Sequence, residues 1–295
     1  MDVYRTPDER FRDLPDYPFE PRYADLDGLR MHYVDEGPSG GDTLLLLHGE
    51  PTWSFLYRKV IAAIGDRARC IAPDYFGFGR SDKSVDRDFY TYDRHCESVT
   101  ALVDHLDLTW VTVVMQDWGG PIGMRLAVEH PDRFARMVVL NTGIFSGRPP
   151  SDAWLQFRAF MRRVGTDIRP GQLIDVTCGN TLDPEVIAAY DAPFPTPESK
   201  AGVAMFPELV PTEPNHPSAR KMLEVREALA AWNRPALVLF SDSDPIFTPQ
   251  AAHRMAERIA GAGPAEFIRG AGHFLQEERG QEIGERIVRF LDETV

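Results

Sequence analysis

Residues 113–120 read VVMQDWGG, an unbroken apolar run that delivers Gln116, Asp117 and Trp118 straight into two glycines. A short apolar run bounded in this way is the pattern of a buried strand that turns tightly into a helix. The residue at the tip of that turn is an aspartate. A carboxylate held there can displace a leaving group from saturated carbon and form an ester, whereas a serine in the same place is suited to acyl carbonyls. Asp is also a common helix N-cap, so a structural and a chemical role compete for Asp117 until the rest of the chain is read.

Outward from this stretch, short apolar runs recur at residues 29–34, 43–47, 69–72, 110–115, 137–140, 235–240 and 265–268, separated by longer helical patterns. The alternation predicts an α/β fold, a mainly parallel sheet with helices on both faces. RYADLDGLRMHYV at 22–34 carries Leu26-Asp27-Gly28 between two β-rich segments and predicts an antiparallel hairpin at the sheet edge, which brings the strands to eight. The polar clusters His48-Gly49-Glu50-Pro51, Asp74 to Asp82, Asp117-Trp118, Asn141 and Asp242 to Asp244 all fall at strand ends, outside which such sheets bind ligands. From Thr142 to about Pro217 the alternation breaks. Pro149-Pro150, Pro170-Gly171, residues 191–195 and residues 207–217 punctuate amphipathic pieces such as 153–164, a pattern of helices joined by proline-rich elbows. The expected organisation is a core of residues 1–142 and 218–295 with a helical cap, 143–217, inserted over the strand ends.

A chain of 295 residues can bury an extensive apolar interior in one large α/β domain. Its formal net charge of -13 and pI near 5.1 argue against nucleic acid and anionic membrane as partners and favour a small-molecule substrate. Cys70, Cys96 and Cys178 are odd in number and lack CxxC or metal-ligand spacing, as expected of unpaired thiols in a reducing compartment. MDVYRTPDERF at the start holds no continuous apolar segment of signal or membrane length. The expectation is a cytoplasmic protein with no metal and no cofactor. Its oligomeric state is not legible.

Covalent hydrolysis through Asp117 needs a base to activate water and an acid to orient that base. His273, in Arg269-Gly270-Ala271-Gly272-His273-Phe274, follows the last strand in a glycine-rich loop that can aim an imidazole inward. Ser241-Asp242-Ser243-Asp244-Pro245 follows the run ALVLF and offers two acids, Asp242 and Asp244. Asn141, after the 137–140 run, is neutral and cannot stabilise an imidazolium. LHGEPTW at 47–53 closes the third strand with backbone N–H groups placed for an oxyanion, and Glu50–Pro51 is a candidate cis peptide. His48 is expected to hold that loop rather than to react. DYFGFGRSDK at 74–83 lacks the GK[ST] ending of a phosphate cradle and reads as a structural turn.

Taken together, LHGEPTWSFLYRK, APDYFGFGRSDK, YTYDRH, MQDWGG, YDAPFP, AGVAMFP and GAGHFLQE resemble the haloalkane dehalogenases of the α/β-hydrolase superfamily, in the branch whose catalytic acid follows the seventh strand. The resemblance runs over essentially the whole chain. FGFGRSDK alone is shared with epoxide hydrolases, while HGEPTW together with QDWGG is far more specific. It implies that Asp117 attacks the halogen-bearing carbon to give an alkyl ester and halide, and that His273, oriented by Asp244, then activates water against the ester. Asp242 becomes a turn residue. The backbone N–H groups of Glu50 and Trp118 hold the oxyanion, and the Trp118 indole, a donor only, holds the halide. The implied partners are a small apolar halogenated substrate, water and a halide ion.

The chain departs from that branch at one position. The second halide donor is a cap tryptophan immediately before an Arg-x-Phe element, but Arg158-Ala159-Phe160 is preceded by Phe157, and Trp154 sits three residues earlier on the same helical face. Trp154, with its indole N–H, and Phe157, with a ring edge of partial positive charge, are both candidates for the second halide contact. An epoxide hydrolase would share the relay but needs cap tyrosines, and the insertion holds only Tyr190. Fluoroacetate hydrolysis needs cations beside the nucleophile, where Trp118 stands, with Arg125 two helical turns on. A catalytically weak binding protein on the same fold would have no need of Asp117, Asp244 and His273 together.

Overall fold

The computed structural model describes residues 2–145, 147–148 and 150–294, so Pro149 of the first proline elbow lies outside the described residues. Eight strands form one sheet: β1 (Arg22–Leu26), β2 (Leu29–Glu36), β3 (Thr43–Leu47), β4 (Arg69–Pro73), β5 (Val111–Gln116), β6 (Phe134–Leu140), β7 (Ala236–Ser241) and β8 (Glu266–Ile268). Across the sheet they run β8-β7-β6-β5-β3-β4-β2-β1. β2 is antiparallel to both of its neighbours, and the other pairs are parallel. The β1–β2 hairpin turns on Asp27 and Gly28, with φ of +55° and +78°, the two left-handed residues that a twist-matched two-residue turn requires.

The runs are uniformly apolar because both faces of the sheet are covered. Leu44 and Leu46 pack with Val114 and Val138 on one face, Leu45 and Leu47 with Val113 and Met115 on the other. Helices α1 (Arg58–Ile64) and α10 (Leu275–Glu293) cover the first face through Val60, Ile61, Ile283 and Ile287. On the second lie α2 (Tyr92–His105), α3 (Gly119–Glu129), α8 (Ala219–Ala228) and α9 (Pro249–Arg258).

Between β6 and β7 the chain leaves the sheet as α4 (Asp152–Val164), α5 (Pro170–Thr177), α6 (Pro184–Asp191) and α7 (Ala201–Leu209), before α8 returns to pack on α3. Pro170 and Pro184 open their helices, where a missing N–H leaves no gap. Pro207 departs from the elbow expected of it. It stands inside α7, where the helix forgoes one bond near its end and the ring is buried. Before β1 the chain also pairs Val3–Tyr4 with Lys83–Ser84, and Arg5 binds Asp82 at 2.7 Å. Among the described residues no helix is long and apolar enough to cross a membrane.

Candidate active site

β5 lies in the middle of the sheet, and the residue that follows it, Asp117, has φ of +49°, a left-handed conformation that few non-glycine residues adopt. The turn is held from three sides. The Asp117 backbone N–H donates to the Asn141 carbonyl at 3.0 Å, and its carbonyl accepts from Gly120 at 2.9 Å and from the Thr142 hydroxyl at 2.5 Å. The glycine pair is required because α3 starts pressed against its neighbours: a Cβ on Gly119 would sit 2.2 Å from the Leu47 carbonyl oxygen, and one on Gly120 1.9 Å from Thr142 Oγ1. Helix α3 has no side-chain cap. The Asp117 carboxylate instead accepts from the Glu50 N–H at 2.9 Å and from the Trp118 N–H, the two donors expected of an oxyanion hole.

His273 and Asp244 arrive from the ends of β8 and β7. His273 Nδ1 is 2.8 Å from Asp244 Oδ2, and its Nε2 is 3.7 Å from Asp117 Oδ2. Asp244 Oδ1 accepts from the backbone of Ile246 at 2.7 Å and Phe247 at 3.1 Å, so this carboxylate is fixed before it meets the ring. With Asp244 able only to accept, the proton of a neutral imidazole belongs on Nδ1, which leaves the Nε2 lone pair on the side of Asp117. Asp242 takes no part. It is half-buried and accepts from Gly270 N–H and the Ser243 hydroxyl, both at 2.9 Å. Asn141 is buried and donates to the Ser241 hydroxyl at 2.8 Å and to the carbonyls of Gly272 and His273 at 3.1 Å each, tying β6, β7 and the histidine loop together.

Burial pushes the Asp117 carboxyl above its ordinary range, with His273 and the two N–H groups pulling back against it. Burial would likewise raise Asp244, but the charge and hydrogen bond of His273 hold it below the usual value. The same pair acts on His273 with opposite sign: burial lowers it, Asp244 and then Asp117 raise it, and the net is upward. Glu50 contributes more than its backbone. Its carboxyl is raised well above the ordinary value by burial and by the Asp117 charge, and its Oε1 has no partner among the described residues. His48 is structural as expected, lowered to about 4 by burial, with Nδ1 on the Gly49 carbonyl at 2.9 Å and Nε2 accepting from the Tyr75 N–H at 3.2 Å. The Glu50–Pro51 peptide is cis.

A cavity with about 660 Å³ free of protein atoms, its mouth included, opens onto Asp117. The Asp117 side chain keeps 19% of its surface toward this space, while those of His273 and Asp244 keep 5% and 0%. The walls are apolar. Trp118, Trp154 and Phe157 all line it, joined by Phe145, Phe247 and Phe274. Neither the Trp118 nor the Trp154 indole N–H has an acceptor among the described residues. Sequence reasoning missed several participants: Gln116, whose amide nitrogen is 3.2 Å from His273 Nε2; Phe247, stacked on the His273 ring with centroids 5.8 Å apart; and Thr177, a cavity residue of α5. Only their adjacency to Asp117, and to the Asp244 turn, could have marked the first two. Thr177 carried no signal.

Comparison with known proteins falls in line with this geometry. A family profile for the alpha/beta hydrolase fold matches residues 42–170. A haloalkane dehalogenase of Mycolicibacterium paratuberculosis is 43% identical over 98% of this chain and 98% of its own length. One of Psychrobacter cryohalolentis is 42% identical over 100% and 99%, and haloalkane dehalogenase 1 of Mycobacterium tuberculosis is 44% identical over 100% of both. Among solved structures, the tetrameric haloalkane dehalogenase DpaA from Paraglaciecola agarilytica superposes with a TM-score of 0.91 at 37% identity, covering 97% of each chain.

Proposed function

The chain belongs to the haloalkane dehalogenase family, and from that premise we propose that Asp117, His273 and Asp244 carry the chemistry of a hydrolase that cleaves carbon–halogen bonds. Asp117 attacks the halogen-bearing carbon. The new bond is an Asp117 alkyl ester, the bond broken is carbon–halogen, and the halide leaves with the electron pair. Water, deprotonated by His273 Nε2, then adds to the ester carbonyl, the Glu50 and Trp118 N–H groups hold the oxyanion, and the alcohol departs as the Asp117 carboxylate is restored and a proton is released. The observation that carries this reading is the meeting, in one apolar cavity, of a strained aspartate, a histidine 3.7 Å from it, and indole donors with no protein acceptor.

The electrostatics support the order of events. The Asp117 charge is one of the groups that raise His273 in the free enzyme, and esterification removes it. The imidazole therefore moves toward its neutral, basic form at the step where a base is needed. Trp118 and Trp154 are the halide donors in this reading, with Phe157 forming the wall beside them. An epoxide hydrolase is not favoured: Tyr190 spends its hydroxyl on Glu277 at 2.6 Å. The division into a core of residues 1–142 and 218–295 and a cap of 143–217 fits the same reading, since α8 packs on α3 while α4, α5 and α7 line the cavity. Three unpaired cysteines support a cytoplasmic setting.

The test is His273→Gln. Displacement should proceed and hydrolysis stop, so mass spectrometry after exposure to a short bromoalkane should find one alkyl group on Asp117. Wild-type turnover in that variant, or a label on another residue, would sink the assignment.

A further inference from the structure

We propose that Glu278 is a positioning residue for the hydrolytic half of the reaction: its carboxylate couples the His273 loop to cap helix α5, so that the seating of the cap sets the position of the imidazole. The inference rests on the roles proposed above for Asp117 and His273.

The two oxygens of this carboxylate serve two different parts of the molecule. Oε2 accepts from the Gly272 N–H at 2.6 Å, one residue before the candidate base. Oε1 accepts from the Gly179 N–H at 2.9 Å, the Asn180 N–H at 3.1 Å and Asn180 Nδ2 at 3.0 Å, all in the loop that leaves α5. The same two segments touch directly. The His273 N–H donates to the Thr177 carbonyl at 3.0 Å, and a Cβ on Gly272 would lie 2.5 Å from that carbonyl oxygen, so no side chain fits between them. Thr177 and Leu173 of α5 are cavity walls. A displacement of α5 is therefore transmitted to His273 through a shared carboxylate and a shared backbone bond.

The turn that carries Glu278 is an independent mount. Helix α10 is interrupted at Arg279, whose φ of -134° and ψ of 31° are not helical, which sets the residues before it apart from the helix body. Neighbouring Glu277 anchors that turn to the core, bonding Arg58 at 2.6 and 2.8 Å and Lys59 at 2.8 Å, and takes the Tyr190 hydroxyl of the cap. Glu278 itself pairs with no arginine or lysine among the described residues and is half-buried, so its bonds define geometry more than they hold charge. Asp117 is held by Asn141, Thr142 and the Glu50 N–H, none of which bonds Glu278. Losing Glu278 should spare displacement and impair hydrolysis.

The experiment is stopped-flow turnover of a bromoalkane with mass spectrometry, on wild type, Glu278→Ala, Glu278→Gln, Asn180→Ala and, as reference, His273→Gln. Glu278→Ala should give a halide burst at the wild-type rate constant, then hydrolysis slowed about 10- to 100-fold, the scale of a 1 Å misplacement, with alkylated Asp117 accumulating. Glu278→Gln has one oxygen left to accept and should fall between. Should the alanine variant fail to fold, Glu278→Gln and Asn180→Ala decide, each expected to slow hydrolysis and spare the burst. Equal slowing of burst and hydrolysis, or a lowered melting temperature with unchanged kinetics, overturns the proposal. If His273→Gln traps no ester, the underlying mechanism has failed instead.

Discussion

In the proposed reaction, the contrast between Trp154 and Phe157 bears on how the halide is held. Both rings reach the cavity, but only the indole has an N–H, and that N–H has no protein acceptor among the described residues. Losing one donor from an apolar site costs about 1–3 kcal/mol, so Trp154→Phe should weaken bromide and chloride binding by about 5- to 150-fold and slow carbon–chlorine cleavage most, whereas Phe157→Leu should do little. Halide titration followed by tryptophan fluorescence measures both. A silent Trp154→Phe beside a damaging Phe157→Leu would reverse the assignment. The sequence narrowed the contact to these two positions and stopped there, because helical phase is set by partners distant in the chain. Arg158 lies 5.0 Å from the Trp154 ring and donates to Thr212 at 3.1 Å, and nothing near residue 154 announces that arrangement. Glu50 was legible as a backbone donor only; its buried carboxyl, pushed upward by burial and the Asp117 charge, emerges from packing.

Strands and helices were the most readable elements, because covered faces force continuous apolar runs and turns force glycine and proline. β3 begins and ends where the pattern did, and β6 begins three residues before the 137–140 run, since Arg136 interrupts hydrophobicity while its guanidinium is satisfied by Thr294 and Asp42. The break in α10 and the pairing of Val3–Tyr4 with Lys83–Ser84 were invisible, both depending on contacts far along the chain. The elbow yields the sharpest prediction for an element. Gly120→Ala would place a Cβ 1.9 Å from Thr142 Oγ1 and should destabilise by about 1–3 kcal/mol with loss of activity. Gly263→Ala, whose Cβ would meet nothing within 4 Å, should stay within about 0.5 kcal/mol of wild type in urea unfolding.

For the whole molecule, pH acts on stability through two opposed sets of buried carboxyls. Asp74, Asp82, Asp244 and Glu277 are held below their ordinary values; each resists burial's upward push through its ion pairs and hydrogen bonds. Their contribution is present above the unfolded carboxylate range, about pH 4, and is lost as pH falls through the lower folded values. Glu50 works the other way. Its folded value is raised, so its contribution is complete in acid and is lost as pH rises from the unfolded value toward the folded one. Urea midpoints should therefore fall steeply below about pH 4, and Glu50→Gln should gain on wild type as pH rises above about 5; a constant difference between the two would refute this account of Glu50. The placement of the three catalytic candidates has a kinetic consequence as well. They come from the loops after β5, β7 and β8, the last an edge strand, and no local segment contains two of the relay's carboxylates beside the imidazole. Contacts so remote in sequence form late in folding. Refolding monitored by circular dichroism should run ahead of regained halide release, and on warming, fraying of the β8 edge should silence the enzyme while most of its helices persist, so that activity reports the completion of the sheet rather than the presence of the fold.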